Sequence, residues 1–152
     1  MAYAAISPEP ELMPVLEVCL AAGKILLLPR CQENGVMTAR RVHALAELAS
    51  GAYGILEPCG DAAFFPPENI ELILVPGLAF ARNGARLGRG KGYYDRFLGK
   101  TLARTIGVCY DSRCMDEIPV EDCDRYVDAV ITDQKMILCE MEGDACLGKS
   151  AI

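Results

Sequence analysis

The stretch RLGRGKGYYD, residues 86–95, combines three glycines at alternate positions with three cations and a carboxylate. Glycine loses the most backbone entropy on folding, so a run of glycines is costly unless the backbone must approach something closely. Successive unobstructed N–H groups can form an anion-binding concavity, and arginine and lysine add permanent positive charge. A helix that follows would offer its N-terminus to the same anion. The stretch predicts a phosphate-binding loop, with a merely flexible loop as the alternative.

Asp95, which closes this stretch, has two interpretations. A carboxylate in the first turn of a helix is favourable because it faces the positive end of the helix dipole. Beside phosphate groups the same carboxylate would repel them, unless a hard cation lay between. Magnesium is commonly held by one or two carboxylates together with substrate phosphates. Both interpretations, a helix-dipole carboxylate and a magnesium ligand, stay open at this point.

The charge distribution narrows the class of ligand. The net charge of −6 argues against a general nucleic-acid binder, yet Asp95 is the single acid in the cation-rich segment 82–104. One basic segment in an acidic protein predicts a site for a small anion. The longest apolar runs, such as residues 25–29, are shorter than the ~20 residues that a membrane span needs. The first residues show no signal-peptide pattern, so we expect a cytoplasmic protein without membrane contact.

Apolar patterning predicts one α/β domain over residues 1–152, with a largely parallel sheet, because strand patterns alternate with helical ones. Helices are predicted over 11–22, from a cap at Thr38 to about residue 48, and over 93–103. Strands are predicted over 24–29, which reads as buried on both faces, and over 70–77, 104–111, 128–132 and 136–141. Ligands of such sheets bind beyond the carboxyl ends of strands, and residues 82–92 follow the strand at 70–77.

The cysteines predict neither a zinc site nor disulfides. No two of them have C-x-x-C spacing, and a single histidine leaves little to complete a zinc ligand set. We interpret them as free thiols that behave as small core hydrophobes. They stand at positions 19, 31, 59, 109, 114, 123, 139 and 146.

The segment LVPGLAFARNGARLGRGKGYYDRFL, residues 74–98, closely resembles the signature of the 5-formyltetrahydrofolate cyclo-ligase family, also called methenyltetrahydrofolate synthetases. The resemblance covers most of the chain, from about Tyr3 to Thr132. It implies a three-layer α/β sandwich with a largely parallel central sheet, of the cyclo-ligase and CoA-transferase-like type. Further segments that resemble the family, in family order, are AAGKILLLPR (21–30), YGILEP (53–58), IGVCYD (106–111) and EIPVEDCDRYVDAVIT (117–132).

The resemblance implies an enzyme that converts 5-formyltetrahydrofolate to 5,10-methenyltetrahydrofolate with ATP and Mg²⁺. The formyl oxygen would attack the γ-phosphate, after which N10 closes the ring and phosphate leaves. An amide oxygen is a poor leaving group until it is phosphorylated, so the order is chemically sensible. Catalysis would consist mainly of positioning and charge stabilisation.

Position by position, the resemblance implies that the glycine-rich stretch binds the ATP phosphates. Arg89 and Lys91 would lie near the transferred phosphoryl group, and Tyr93 would lie where phosphate and folate meet. These three are the expected catalytic residues. The expected ATP-binding set is Arg86, Leu87, Gly88, Arg89, Gly90, Lys91, Gly92, Tyr93 and Tyr94.

The resemblance also implies the metal and folate contacts. Asp95 and Asp124 match the family's magnesium positions. Glu9, in the stretch SPEPEL, resembles an acid that binds the reduced pterin, and a carboxylate is a suitable partner for pterin N–H donors. Together with Tyr93, it forms the expected folate contact.

The chain departs from the family pattern at its beginning. The family normally starts with a helical segment whose lysines and arginines contact ATP and folate, whereas Met1 here stands almost at the first strand, AYAAIS. Ala81, Arg113 and Cys123 stand where aspartate, glutamine and histidine are usual. Two hypotheses follow: a working cyclo-ligase, favoured by the complete RLGRGKGYYD run, or a shortened non-catalytic paralogue that binds nucleotide or folate. An uncovered first strand would be an edge for a second copy, so a homodimer is expected.

Overall fold

The structure is a computed structural model that describes residues 1–51 and 54–140. Within these ranges the chain forms two short α-helices, α1 (Met13–Ala21) and α2 (Tyr93–Leu98). The strands are β1 (Leu26–Cys31), β2 (Met37–Val42), β3 (Leu48–Ser50), β4 (Leu56–Pro58), β5 (Phe64–Phe65), β6 (Leu72–Pro76), β7 (Ala79–Ala81), β8 (Arg86–Leu87), β9 (Arg104–Val108), β10 (Cys114–Met115), β11 (Ala129–Ile131) and β12 (Met136–Leu138).

The central sheet has the strand order β12-β11-β9-β6. Strands β6, β9 and β11 run parallel, and β12 pairs antiparallel with β11 at the edge. Ile106 of β9 lies opposite both Leu74 of β6 and Ala129 of β11, so β9 is central in the sheet. The prediction of an α/β fold with a largely parallel central sheet is confirmed.

The first residues of the chain join two sheets. The N–H of Ala2 donates to the carbonyl of Leu27 in β1, at 2.8 Å, and the N–H of Leu74 in β6 donates to the carbonyl of Met1, at 2.9 Å. Ala2 and Tyr3 are buried. The strand predicted at AYAAIS is therefore wrong, because these residues form no regular strand. Met1 and Ala2 are nevertheless hydrogen-bonded on both sides, so no open edge is left there to support a homodimer.

Strands β1 and β6, which residues 1 and 2 connect, belong to a sheet layer with a helix packed on each face. Leu26 and Leu28 of β1 pack with Leu16 of α1 on one face. Leu27, the residue between them, faces the opposite core, together with Phe97 of α2. Strand β1 is thus buried on both faces at its start, as its continuous apolar sequence predicts. Helix, sheet and helix make the predicted three layers.

The second predicted helix is wrong. Residues 37–42 form strand β2, which pairs antiparallel with β1 in a hairpin, with Leu28 opposite Arg40. Apolar residues at 42, 45, 46 and 48 have helical spacing, but Met37, Ala39 and Val42 are the buried positions. Pairing with β1 along six residues therefore overrides the helical pattern. Only a short 3₁₀ turn, Leu45–Glu47, is helical in this region, and His43 lies exposed just before it.

The other predicted elements lie at or near their predicted positions. Strand β1 is shifted by two residues, to Leu26–Cys31 instead of 24–29, and strands β6, β9 and β11 are shorter than predicted. Helix α1 has Pro14 in its first turn and ends before Gly23, as expected. Helix α2 stops at Leu98 instead of continuing to residue 103, because the chain turns into β9. The predicted strand at 136–141 is edge strand β12 as far as Leu138, and Met141 lies outside the described residues. The single domain over 1–152 stays a prediction.

The described cysteines are free thiols, as predicted. Cys109 is a core residue, and burial raises its pKa to about 11. Cys59 and Cys123 are exposed, so the core prediction is wrong for these two. Cys146 lies outside the described residues. Among the residues that are described, helices long and apolar enough to cross a bilayer do not occur.

Gly107 provides a test of the packing between the sheet and β7. A Cβ added there would lie 2.4 Å from Cε1 of Phe80, whose ring is fully buried. We expect Gly107→Ala to lower the free energy of unfolding by about 1–3 kcal/mol, because the ring must move within a packed core. The control is Gly60→Ala, whose new Cβ would meet only the flexible end of Arg30. Equal stability of both variants in urea denaturation would contradict this packing.

Candidate active site

One cleft of about 1100 Å³ gathers every predicted site residue. It lies beyond the carboxyl end of β6, where Pro76 and Gly77 form part of its wall, as expected for an α/β sheet. Other parts of the wall come from residues 4–9, the β1–β2 turn, residues 55–57, residues 99–100 and residues 119–125. The predicted residues in the lining are Glu9, Arg86, Leu87, Gly88, Arg89, Gly90, Lys91, Gly92, Tyr93, Tyr94, Asp95 and Asp124.

Residues 88–92, called the glycine loop below, connect β8 to α2. Gly90 and Gly92 have φ angles of +81° and +64°, in the left-handed region that other residues rarely adopt. Apart from its two chain neighbours, no described residue comes within 4 Å of the position that a Cβ on Gly90 would occupy, so that side of the loop is open. Gly92 caps α2 without a side-chain hydrogen bond to the first N–H groups. The loop therefore presents backbone N–H groups and open space, which suits an anion.

Gly88 and Gly92 have a second reason to lack a side chain. A Cβ on Gly88 would lie 2.7 Å from Nη1 of Arg86, and a Cβ on Gly92 would lie 2.8 Å from Nη1 of Arg96. Two guanidinium groups thus pack directly against the loop backbone. The glycines accommodate the protein's own arginines as well as any ligand.

Arg86 and Asp95 form an ion pair at the base of the loop. Nη2 of Arg86 donates to Oδ2 of Asp95 at 2.8 Å, and the side chains are 6% and 16% exposed. The N–H of Arg125 donates to Oδ1 of the same carboxylate at 3.2 Å. The pair joins strand β8, which precedes the glycine loop, to the helix after it, and also to the turn at 121–125. It fixes both ends of the loop.

Tyr94 completes this base. The guanidinium of Arg86 lies 5.6 Å from the centre of the Tyr94 ring, within the range of a cation–π contact. Burial raises the pKa of Tyr94 above its usual range, so the phenol stays protonated. Its hydroxyl has no hydrogen-bond partner among the described residues. Tyr94 therefore acts here as an apolar support for Arg86, and its assignment to ATP stays a prediction.

Arg96 holds the middle of the loop, a function that the sequence did not predict. Its Nη2 donates to the carbonyl of Lys91 at 2.8 Å and to the carbonyl of Gly35 at 2.9 Å. The guanidinium carbon Cζ of Arg96 also lies over the Tyr93 ring, 5.6 Å from the ring centre. The residue belongs to the basic segment, but backbone carbonyls are its partners, and no sequence pattern reveals these.

Tyr93 and Lys91 stand at the open side of the cleft. The hydroxyl of Tyr93 donates to the carbonyl of Gln32 at 2.9 Å, which ties α2 to the β1–β2 turn. Lys91 is exposed at the tip of the loop. Cys31 also lines the cleft, and burial raises its thiol pKa.

Arg89 spans the cleft from the glycine loop to the N-terminal segment. Its Nε donates to Oε1 of Glu9 at 3.3 Å. The predicted nucleotide residue and the predicted folate residue are thus in direct contact. Glu9 also lines a second hollow of about 480 Å³, which it shares with Glu11, Tyr110 and Arg113.

The two predicted metal ligands lie on neighbouring parts of the cleft wall. Asp124 precedes Arg125, whose N–H binds Asp95, and its own Oδ2 accepts the N–H of Glu121 at 2.8 Å. A carboxylate has about four lone-pair sites, so these contacts leave both groups able to bind a cation. A cluster of three or more metal-binding side chains does not occur in residues 1–51 or 54–140. Two carboxylates beside a loop that carries cations and open backbone have the chemistry for a magnesium ion that phosphate groups also bind.

Comparison with known protein families establishes the family of this chain. The model of the 5-formyltetrahydrofolate cyclo-ligase family matches residues 1–133. The chain belongs to this family. A 5-formyltetrahydrofolate cyclo-ligase of Mycolicibacterium smegmatis is 34% identical over 146 residues, which cover 90% of this chain and 74% of the relative. A probable cyclo-ligase of Schizosaccharomyces pombe is 32% identical over 139 residues, or 81% of this chain and 68% of the relative.

Solved structures of cyclo-ligase relatives have the same fold. The NMR structure of the Aquifex aeolicus 5,10-methenyltetrahydrofolate synthetase matches with a TM-score of 0.80 at 34% identity, over 97% of this chain and 74% of that one. A synthetase from Mycoplasma pneumoniae matches with a TM-score of 0.68 at 22% identity, over 87% and 71% of the two chains, and supports the fold alone. The predictions of family and fold are confirmed.

The ion pair at the base of the loop yields a stability test. Arg86→Met leaves the nearly buried Asp95 carboxylate without its guanidinium, and loss of one partner of a buried pair costs about 3–5 kcal/mol. The matched control is Arg82→Met, because Arg82 and Asp116 lie 3.6 Å apart and are 65% and 96% exposed. We expect that control to change the free energy of unfolding by at most about 1 kcal/mol. Small and equal losses in thermal denaturation would show that the buried pair does not hold the loop.

Proposed function

We propose that this protein is an ATP- and magnesium-dependent 5-formyltetrahydrofolate cyclo-ligase that forms 5,10-methenyltetrahydrofolate. The observation that carries this proposal is the cleft in which the open, cation-bearing glycine loop lies together with Glu9 and Tyr93. Membership of the cyclo-ligase family gives the class of reaction. Phosphate groups would bind to the loop at one side of the cleft, and the other side has room for a second, larger ligand.

The proposed reaction has two steps. The formyl oxygen of the substrate attacks the γ-phosphorus of ATP, and the bond from that phosphorus to the β–γ bridging oxygen breaks, so ADP leaves. N10 then attacks the activated formyl carbon, the carbon–oxygen bond breaks, and phosphate departs with the former formyl oxygen. N10 loses its proton as the ring closes. Phosphorylation is needed because the amide oxygen is otherwise a poor leaving group.

The proposed nucleotide contacts come from the backbone N–H groups and the cations of the glycine loop. The N–H groups around Gly88, Gly90 and Gly92 would bind phosphate oxygens. Lys91 and Arg89 would stabilise the charge that develops on the transferred group, since catalysis of phosphoryl transfer is chiefly electrostatic. Within the proposed set, the remaining members contribute position: Arg86, Leu87, Tyr93 and Tyr94.

The proposed metal and folate contacts follow from the cleft walls. Asp95 and Asp124 would hold Mg²⁺, which neutralises phosphate charge when bound. The carboxylate of Glu9 would accept N–H groups of the pterin, and Tyr93 would lie between folate and phosphate. The Arg86 contact orients the Asp95 carboxylate, which reduces the entropy lost when an ion binds.

A non-catalytic paralogue is the second candidate. The names of the relatives favour the ligase. Purified protein given 5-formyltetrahydrofolate, ATP and Mg²⁺ should produce the near-ultraviolet absorbance of methenyltetrahydrofolate, and omission of ATP should abolish it. No ATP-dependent absorbance at any protein concentration would reject the ligase, and calorimetry with each ligand would then identify a binding paralogue.

The cytoplasmic location and the homodimer stay predictions. A relative from Arabidopsis thaliana is named as mitochondrial. The first-strand edge no longer supports a dimer, because Met1 and Ala2 make hydrogen bonds to both neighbouring strands.

Lys91 provides a direct test of the nucleotide contact. Lys91→Ala removes the ammonium at the tip of the loop, and a hydrogen bond to a charged group contributes about 1.5–3 kcal/mol. We therefore expect Mg·ATP to bind at least about tenfold more weakly in calorimetry. Lys24→Ala is the control, since it removes one exposed cation that does not line the cleft. Unchanged ATP affinity in Lys91→Ala would remove this residue from the proposed phosphate site.

A further inference from the structure

We propose that Glu9 is a positioning residue for Arg89, and that this contact makes nucleotide affinity depend on Glu9 even when folate is absent. The inference rests on the proposed function, because it takes the glycine loop as the nucleotide site. It adds to the pterin contact of Glu9 a second action that precedes folate binding.

The guanidinium of Arg89 binds three acceptors on one turn of the N-terminal segment. Nη2 donates to the carbonyls of Ile6 and Ser7, at 3.2 and 3.1 Å. Nε donates to Oε1 of Glu9 at 3.3 Å. A planar fork that binds acceptors through two of its nitrogens has a fixed direction. The side chain that leaves the loop between Gly88 and Gly90 is thus anchored on the opposite wall of the cleft.

Glu9 is itself held rigidly. Its Oε2 accepts the N–H of Ile6 at 2.9 Å, and its own N–H donates to the carbonyl of Ile6 at 2.9 Å. The Glu9 side chain is only 5% exposed, whereas that of Arg89 is 42% exposed. A carboxylate that is nearly buried needs a charged or hydrogen-bonding partner. Arg89 is the cation that forms a salt bridge with it.

The consequence concerns the entropy of the glycine loop. Glycines at positive φ leave the unliganded backbone free to adopt other conformations, and ordering each residue costs about 1–2 kcal/mol. A side chain anchored on the rigid 6–9 turn restricts the loop before the nucleotide arrives. Pre-organisation of this kind raises affinity without a new contact to the ligand. Loss of the Glu9 charge should therefore weaken nucleotide binding through Arg89.

The experiment measures the affinity for Mg·ATP by calorimetry in the absence of folate. Glu9→Gln keeps the shape and one acceptor oxygen but removes the charge, and we expect about three- to tenfold weaker binding, within the range of coupled neighbours. Arg89→Ala should also weaken binding, and the double variant should bind no more weakly than Arg89→Ala alone. Glu11→Gln is the matched control, since it removes the same charge two residues away and should change the affinity less than about twofold.

Three outcomes would overturn the inference. Wild-type affinity in Glu9→Gln would leave Glu9 with a folate contact only. An equal weakening by Glu9→Gln in the wild-type and Arg89→Ala backgrounds would show that the effect does not pass through Arg89. Tighter binding in Glu9→Gln would show that the contact holds Arg89 away from the nucleotide. Glu9→Asp, which keeps the charge but withdraws the carboxylate, should reproduce the weakening if Glu9→Gln folds poorly.

Failure of the proposed function looks different. It appears as absence of Mg·ATP binding in the wild-type protein, before any variant is compared. A wild type that binds Mg·ATP and a Glu9→Gln variant that binds it equally well reject only the positioning role.

Discussion

The buried ion pair between Arg86 and Asp95 is the contact on which the site depends. A loop of glycines has no intrinsic preference for one conformation, so something outside the loop must fix its ends. Arg86 precedes the loop and Asp95 lies in the helix that follows, and their 2.8 Å contact closes the loop as a short ring. The same carboxylate also accepts the N–H of Arg125. One pair therefore sets the distance between the glycine loop and the wall that carries Asp124.

The other arginines act on the same loop from different sides. Arg96 donates a hydrogen bond to the Lys91 carbonyl, and Arg89 donates one to the Glu9 carboxylate across the cleft. Much of the positive charge in the basic segment thus has partners inside the protein. Lys91 is exposed at the tip of the loop, where we propose that it contacts the nucleotide, while the arginines shape the loop.

Local chemistry made the glycine loop predictable, and its long-range contacts could not be predicted. The alternating glycines and cations predicted a loop at the carboxyl edge of the sheet, and the structure has the glycine loop in the cleft beside the end of β6. Its phosphate ligand stays a prediction. The partners of Arg96 and Arg89 include backbone carbonyls of residues far away in sequence, which no residue pattern encodes. The false helix after Thr38 has the same origin, because its apolar spacing was read without the strand β1 that pairs with it. The first strand was expected to be an edge for a similar reason, since both its neighbours come from later in the chain.

Binding of nucleotide phosphates to the glycine loop can be observed residue by residue by NMR of protein labelled with ¹⁵N-glycine. Titration with Mg·ATP should shift the amide signals of Gly88, Gly90 and Gly92. The signals of Gly23 and Gly60, which do not line the cleft, should stay in place. Saturable binding that leaves the three loop signals unmoved would contradict the account, because it would locate the nucleotide elsewhere on the protein.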